Sequence, residues 1–186
     1  FTMTASARTG WRGALPIWAM APGLRRLAAR PGDAPRLAPA WPCVQLDDTS
    51  PVGYAAQLAS CACALAGVAE VAAPLNAAGR AFALDDSHAM GQPEAFIVPP
   101  VWLIVRPDGS LHLTLRPEWG QKIVAKGWGT VHPFARYMAG AVPPQSLVIY
   151  APRDDGEMAV AARIIVAAHC YATGRIGEVA LPDSRW

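Results

Sequence analysis

The sequence has little net charge to offer a partner. Sixteen Lys and Arg stand against fourteen Asp and Glu, and no basic run is longer than Arg25-Arg26. Nucleic acid requires a concentrated basic patch, so no nucleic-acid partner is expected. Long apolar runs are missing as well, since no stretch approaches the ~20 residues that cross a bilayer. Cysteine is scarce: Cys43, Cys61, Cys63 and Cys170 show neither zinc-ligand spacing nor the density of a disulfide scaffold. They read as free, buried thiols of a reducing, cytoplasmic compartment, with Cys61 and Cys63 on different faces of a helix. There is no G-x-G-x-x-G, no P-loop and no nucleophile elbow, and no compact His/Cys/carboxylate cluster. The expected cofactor content is none, and the expected metal content is none.

What is present fits one domain with an appended segment. Residues 1–48 form a Pro-rich arm carrying Pro16, Pro22, Pro31, Pro35, Pro39 and Pro42. A short amphipathic helix over residues 22–29 would place Leu24 and Leu27 on one side and arginines on the other. The arm is either a membrane-surface or partner-docking segment, or a strap that packs Trp18 and Trp41 against the domain. The domain itself is expected over residues 49–180, followed by a tail at 181–186.

Within the domain, Ser50-Pro51 and Gly67 punctuate a helix over residues 51–66, with Ser50 as its cap. Residues 68–73 and 80–84 are short strands, and AFIVPPVWLIVR reads as strand, Pro-Pro break, strand. Pro107-Asp108-Gly109 is turn chemistry that joins residues 101–106 to 110–115 as a hairpin. Alternation in the second strand sends Leu111, Leu113 and Leu115 to one face and Ser110, His112 and Thr114 to the other. Residues 117–126 suit a helix with Trp119, Ile123 and Val124 as its apolar stripe, and 146–150 a strand. Asp154 and Glu157 then form a capping-box signature for a long, nearly all-apolar helix over 155–173. This order predicts an α+β fold: an antiparallel sheet with helices packed mainly on one face.

From Asp108 onward, DGSLHLTL, KGWGTVHPFA and VPPQSLVIYAPRDDGEMAVAARIIVAAHCYATG resemble the C-terminal half of the fungal luciferase family over about 65 residues. The family runs T/S-LHL, KGWG-x-x-HP-[LF]-A, a Pro-rich loop and Y-A-P-R-[ND] before a helix. The resemblance implies an oxygenase that needs no flavin, haem or metal and takes O2 as co-substrate. Its small-molecule substrate would be enolisable or phenolic, like a hydroxypyrone, and the alternative is a binding module that keeps the fold without the chemistry. A base must ionise the enol, and histidine suits that task near neutral pH.

Matched position by position, His112 falls on the LHL histidine and His132 on that of the WG-x-x-HP loop. Trp128 falls on the loop tryptophan, and Tyr150, Arg153 and Asp154 on the Y-A-P-R-[ND] corner. His132 and His112 are the catalytic candidates, and Trp128, Tyr150, Arg153 and Trp102 the substrate-binding ones. The strand before LHL departs from the family pattern: where the family carries alternating histidines, this chain has VWLIVRPDG. Both candidate histidines also have structural readings. His112 could hydrogen-bond across strands, and His132 could cap the helix that ends near Gly127. Arg153 could form an ion pair with Asp155 or Glu157. His132, a loop residue, is expected to be partly exposed, with its ring within ~10 Å of His112, close enough to act on one substrate directly or through a water.

Overall fold

The leucine alternation that the sequence shows at residues 111–115 becomes the middle of a six-stranded antiparallel sheet. The structure, a computed structural model, describes Leu24 and residues 26–175. Strands β1 (Val68–Val71), β2 (Arg80–Leu84), β3 (Val101–Val105), β4 (Leu111–Thr114), β5 (Gly129–Val131) and β6 (Ser146–Ile149) run in the spatial order β1-β2-β3-β4-β6-β5. The α-helices of the domain are α1 (Tyr54–Cys63), α2 (Pro117–Ala125), α3 (Pro133–Tyr137) and α4 (Asp155–Ala172).

The main core lies between the sheet and α1, α2 and α4. It gathers Phe82, Leu103, Leu111, Leu113, Leu147 and Ile149 from the strands with Leu58, Trp119, Ile123, Ile164 and Ile165 from the helices. The fold is therefore a single α+β domain of the kind the pattern predicts. The opposite face carries a smaller cluster of Ala77, Ala81, Ala83, Ile97, Val101 and Ile104, against which Trp41 packs. The N-terminal arm thus does for the second face what helices do for the first. Trp18 and residues 22, 23 and 25 of the expected 22–29 helix lie outside the described residues; Leu24 is helical, but residues 27–30 carry no regular structure, so the helix does not run to 29 as expected.

The β3–β4 hairpin closes through Arg106 N–H to the Ser110 carbonyl at 2.9 Å and Gly109 N–H to the Arg106 carbonyl at 3.0 Å. Gly109 has φ +88, a left-handed conformation that glycine adopts without cost, and a Cβ there would lie 2.1 Å from Ser50 Oγ. The Asp108 carboxylate accepts from Ser110 N–H and from Gln45 N–H of the arm, each at 2.7 Å. Gln45 is buried and returns the tie: its Oε1 accepts from Ala151 N–H at 2.9 Å. Turn and arm are locked together by groups that each would otherwise lack.

Two local readings need correction. Ser50 does not cap α1: its hydroxyl donates to the Pro152 carbonyl at 2.6 Å, and the helix begins three residues later behind Gly53 at φ 94. Cys61 and Cys63 are both exposed, while only Cys43 and Cys170 are buried. Asp154 does cap α4, accepting from Glu157 N–H at 2.8 Å. The Glu157 carboxylate, however, reaches back to the Arg153 N–H at 2.9 Å instead of completing the box at Asp154.

Candidate functional site

His112 is held at the centre of β4, opposite Ile104 on β3 and Val148 on β6. Period-two alternation sends its ring to the face without the main core. His132 follows β5, its N–H bonded to the Ser146 carbonyl at 2.8 Å, and Pro133 starts α3 directly after it. Its Nδ1 accepts from Phe134 N–H at 3.2 Å, so it caps the following helix and not the preceding one. The two imidazoles stack with centroids 4.3 Å apart and 27° between planes. Trp41 covers them, 5.9 Å from the His112 ring and 5.5 Å from that of His132, and Phe134 closes the side at 5.7 Å from His132. Neither histidine is exposed, which overturns the expectation of a partly exposed His132.

The electrostatics follow from this burial. Desolvation pushes the His112 pKa well below the usual imidazole range, with the neighbouring His132 and Arg106 adding to it. His132 is pushed down to about 3, by burial first and Arg106 second. Both rings are therefore neutral at pH 7. The bond from Phe134 N–H occupies the Nδ1 lone pair of His132, which places its ring proton on Nε2. That Nε2 has no partner, nor does either ring nitrogen of His112, nor the hydroxyls of Thr114 and Ser146. Thr114 and Ser146 sit opposite each other in register, one pleat along from His112 on the same face.

Sequence reasoning did not single out Arg106. It continues β3 on the His112 face, is 1% exposed, and its Nε and Nη2 have no hydrogen-bond partner. A charge at the end of an apolar strand, just before a Pro-Asp-Gly turn, reads as a solvated hairpin end. Only the arm, which lays Cys43 over it, makes it an interior residue. Trp41 was legible as a packing residue but not as the cover of the histidines.

The remaining candidates do not join the pair. Trp102 is the extra residue where Phe82 pairs with Leu103 and Ala83 with Val101, a bulge that turns it into the helix-side core. There it meets His169 at 5.4 Å, whose Nε2 lies 2.8 Å from the Ala66 carbonyl. Trp128 also belongs to the helix-side core and donates from Nε1 to the Ala28 carbonyl at 2.8 Å. Arg153 forms an ion pair with Glu157 at 2.5 Å and donates to the Pro31 carbonyl at 2.6 Å, so its donors serve the join between arm and α4. Tyr150 lies under the Arg30 guanidinium, 5.5 Å from its ring centre. His88 pairs with Asp85 at 2.8 Å in a surface loop. Among the described residues, no three His, Cys, Asp or Glu side chains gather as a metal site, and no helix is long and apolar enough to cross a membrane.

Fold and site together define an α+β domain that buries a neutral histidine pair under an N-terminal strap, beside an arginine with no ion-pair partner among the described residues. Residues 102–168 match the family model described as Luciferase domain. Over 66 residues, 36% of this chain, the sequence is 44% identical to a luciferase of Armillaria ostoyae and 42% identical to one of Armillaria gallica. It is 36% identical over the same length to a luciferase of Neonothopanus nambi. The matched segment spans about a quarter of the length of these curated relatives. No solved structure matches the chain. The similarity to the luciferase-domain family therefore rests on β3 through most of α4, the segment that contains both histidines and Arg106.

Proposed function

We propose that this chain is a cofactor-independent, luciferase-like oxygenase acting on a small enolisable or phenolic, hydroxypyrone-like metabolite, with the histidine pair supplying the base. The observation that carries this is the set of three unpartnered ring nitrogens on two stacked, buried, neutral imidazoles. Buried polar atoms are nearly always hydrogen-bonded, and such a set is complete only when something binds against it.

The two rings are not equivalent in this reading. His132, with its proton on Nε2, is a donor aimed at an oxygen; His112 retains a free lone pair and is the base. An enol or phenol O–H gives its proton to His112, and the oxyanion that results accepts from His132 Nε2–H. An apolar surround strengthens both interactions. The ionised substrate is electron-rich enough to reduce O2 itself, forming a C–O bond to a peroxide, with the proton held on His112 available to that peroxide. Similarity to the fungal luciferases supports this reading over other buried histidine pairs.

A binding module without chemistry is the second reading, supported by the low proton affinity that burial gives both rings. Incubation with hydroxypyrones and catechols under O2, in metal-free buffer, separates the two. Oxygen uptake with CO2 release supports the oxygenase. Ligands that raise the melting temperature without consuming oxygen leave only the binding module.

A further inference from the structure

The second face of the sheet holds a buried cation that, among the described residues, no carboxylate contacts directly; the nearest support is the Asp108 charge two residues on. Arg106 donates one hydrogen bond, from Nη1 to the Cys43 carbonyl at 3.2 Å, and its Nε and Nη2 are unpartnered. Among the described residues no carboxylate forms an ion pair with it. Asp108, two residues on, commits its carboxylate to Ser110 N–H, to the Ser110 hydroxyl and to Gln45 N–H. A buried guanidinium with donors left unmade is costly to a fold, and it persists where something else supplies an acceptor.

Arg106 stands beside the histidines. Ile104 pairs with His112 across the β3–β4 hairpin, and Arg106 lies one pleat further along the same face. Diagonal neighbours of this kind sit about 7–8 Å apart at Cα, within reach of a long side chain. The segment from Trp41 to Gln45 roofs both: Trp41 over the imidazoles, the Cys43 carbonyl on the guanidinium. The other ionisable groups facing Arg106 are His112, His132 and the Cys43 thiol, and none of them is an anion in the folded protein at pH 7.

We infer that Arg106 is the anion-holding residue of this site, and that the site holds its ligand more tightly as the phenolate or enolate monoanion, once ionised, than as the neutral molecule. The inference rests on the reading of the histidine face as a ligand site and adds to it a residue and a charge state. A planar guanidinium with two free donors suits an oxyanion better than a lysine ammonium would, because Nε and Nη2 can grip one oxygen or two together.

The test uses 4-nitrophenol, whose phenol and phenolate forms absorb at different wavelengths, titrated against the full chain. Wild-type protein should bind the phenolate at least about tenfold tighter than the phenol, seen as a fall of about one unit in the bound dye's pKa. Arg106→Met should lose that preference while keeping affinity for the neutral form, and Arg106→Lys should retain part of it. If Arg106→Met does not fold, the wild-type titration and Arg106→Lys decide alone. Neutral phenol bound by wild-type protein as tightly as the phenolate, or equal phenolate preference in Arg106→Met or undiminished preference in Arg106→Lys, overturns the role of Arg106 and leaves the histidine site standing. No binding of either form overturns both. Phenolate binding in a protein that never consumes oxygen removes the oxygenase and leaves Arg106 as the anion anchor.

Discussion

The imidazole of His132 lies flat against that of His112 at 4.3 Å, and the stack has no solvent on either side. A proton on one ring is repelled by any proton on the other and by Arg106. The pair is thus a store of acid sensitivity, because the unfolded chain accepts protons that the native chain refuses.

Folding stability should accordingly be full above about pH 6.5, the unfolded value, and fall as pH drops toward the folded value near 3 for His132. Each group that stays neutral contributes a slope of about 1.4 kcal/mol per pH unit within that window. His169, also pushed down by burial, adds in the same direction. Urea denaturation from pH 7 to 4 should show the loss, and a His112→Asn, His132→Asn double variant should flatten it. An unchanged slope in that variant would assign the acid sensitivity elsewhere.

His132→Ala removes the cap of α3 as well as the ring. The expected cost is about 1–2 kcal/mol from the cap, with more from the vacated volume. His132→Asn restores a capping oxygen and should recover part of the stability but none of the activity. Comparing denaturation midpoints with oxygen uptake in the two variants checks this.

Trp41 packs over the pair. Diethyl pyrocarbonate, which acylates neutral imidazole, should modify the surface residue His88 of the wild-type protein quickly and His112 and His132 slowly. Trp41→Ala should bring His132 into reaction, read by peptide mass spectrometry. Equal protection in the variant would mean that the ring route lies elsewhere.

Arg153 and Glu157 predict a different phenotype. Glu157 is buried and pairs with Arg153 at 2.5 Å and Arg30 at 3.8 Å. Glu157→Gln should destabilise by about 3–5 kcal/mol, since it takes the ion-pair partner from buried Arg30 and the stronger of two from Arg153. Arg153→Ala, at a half-buried site, should fall at the lower end of that range while leaving 4-nitrophenol binding as in the wild type. A selective loss of binding would return Arg153 to the site.

Much of the fold was legible because it rests on local signals. The leucine alternation, the Pro-Asp-Gly turn and the Asp154 cap each state their structure within a few residues. The site was half legible: His112 and His132 carried a motif, and strand alternation gave the face of the first. Long-range contacts supplied the rest. Trp102 looked available until a bulge turned it inward, and the reach of Arg153 to Pro31 spans most of the chain. Arg106 became an interior residue only because Cys43, 63 residues earlier in the chain, lies over it.

The segment shared with the fungal luciferases begins at residue 102, whereas Trp41, Cys43 and Gln45 precede it by more than fifty residues. The histidines and Arg106 therefore lie inside the segment of similarity, and the residues that cover them lie outside it. Substitutions in the strap can change what covers the imidazoles without altering a residue of the shared segment. A fragment trimmed to the region of similarity would lack Trp41 and would expose the histidines to bulk water.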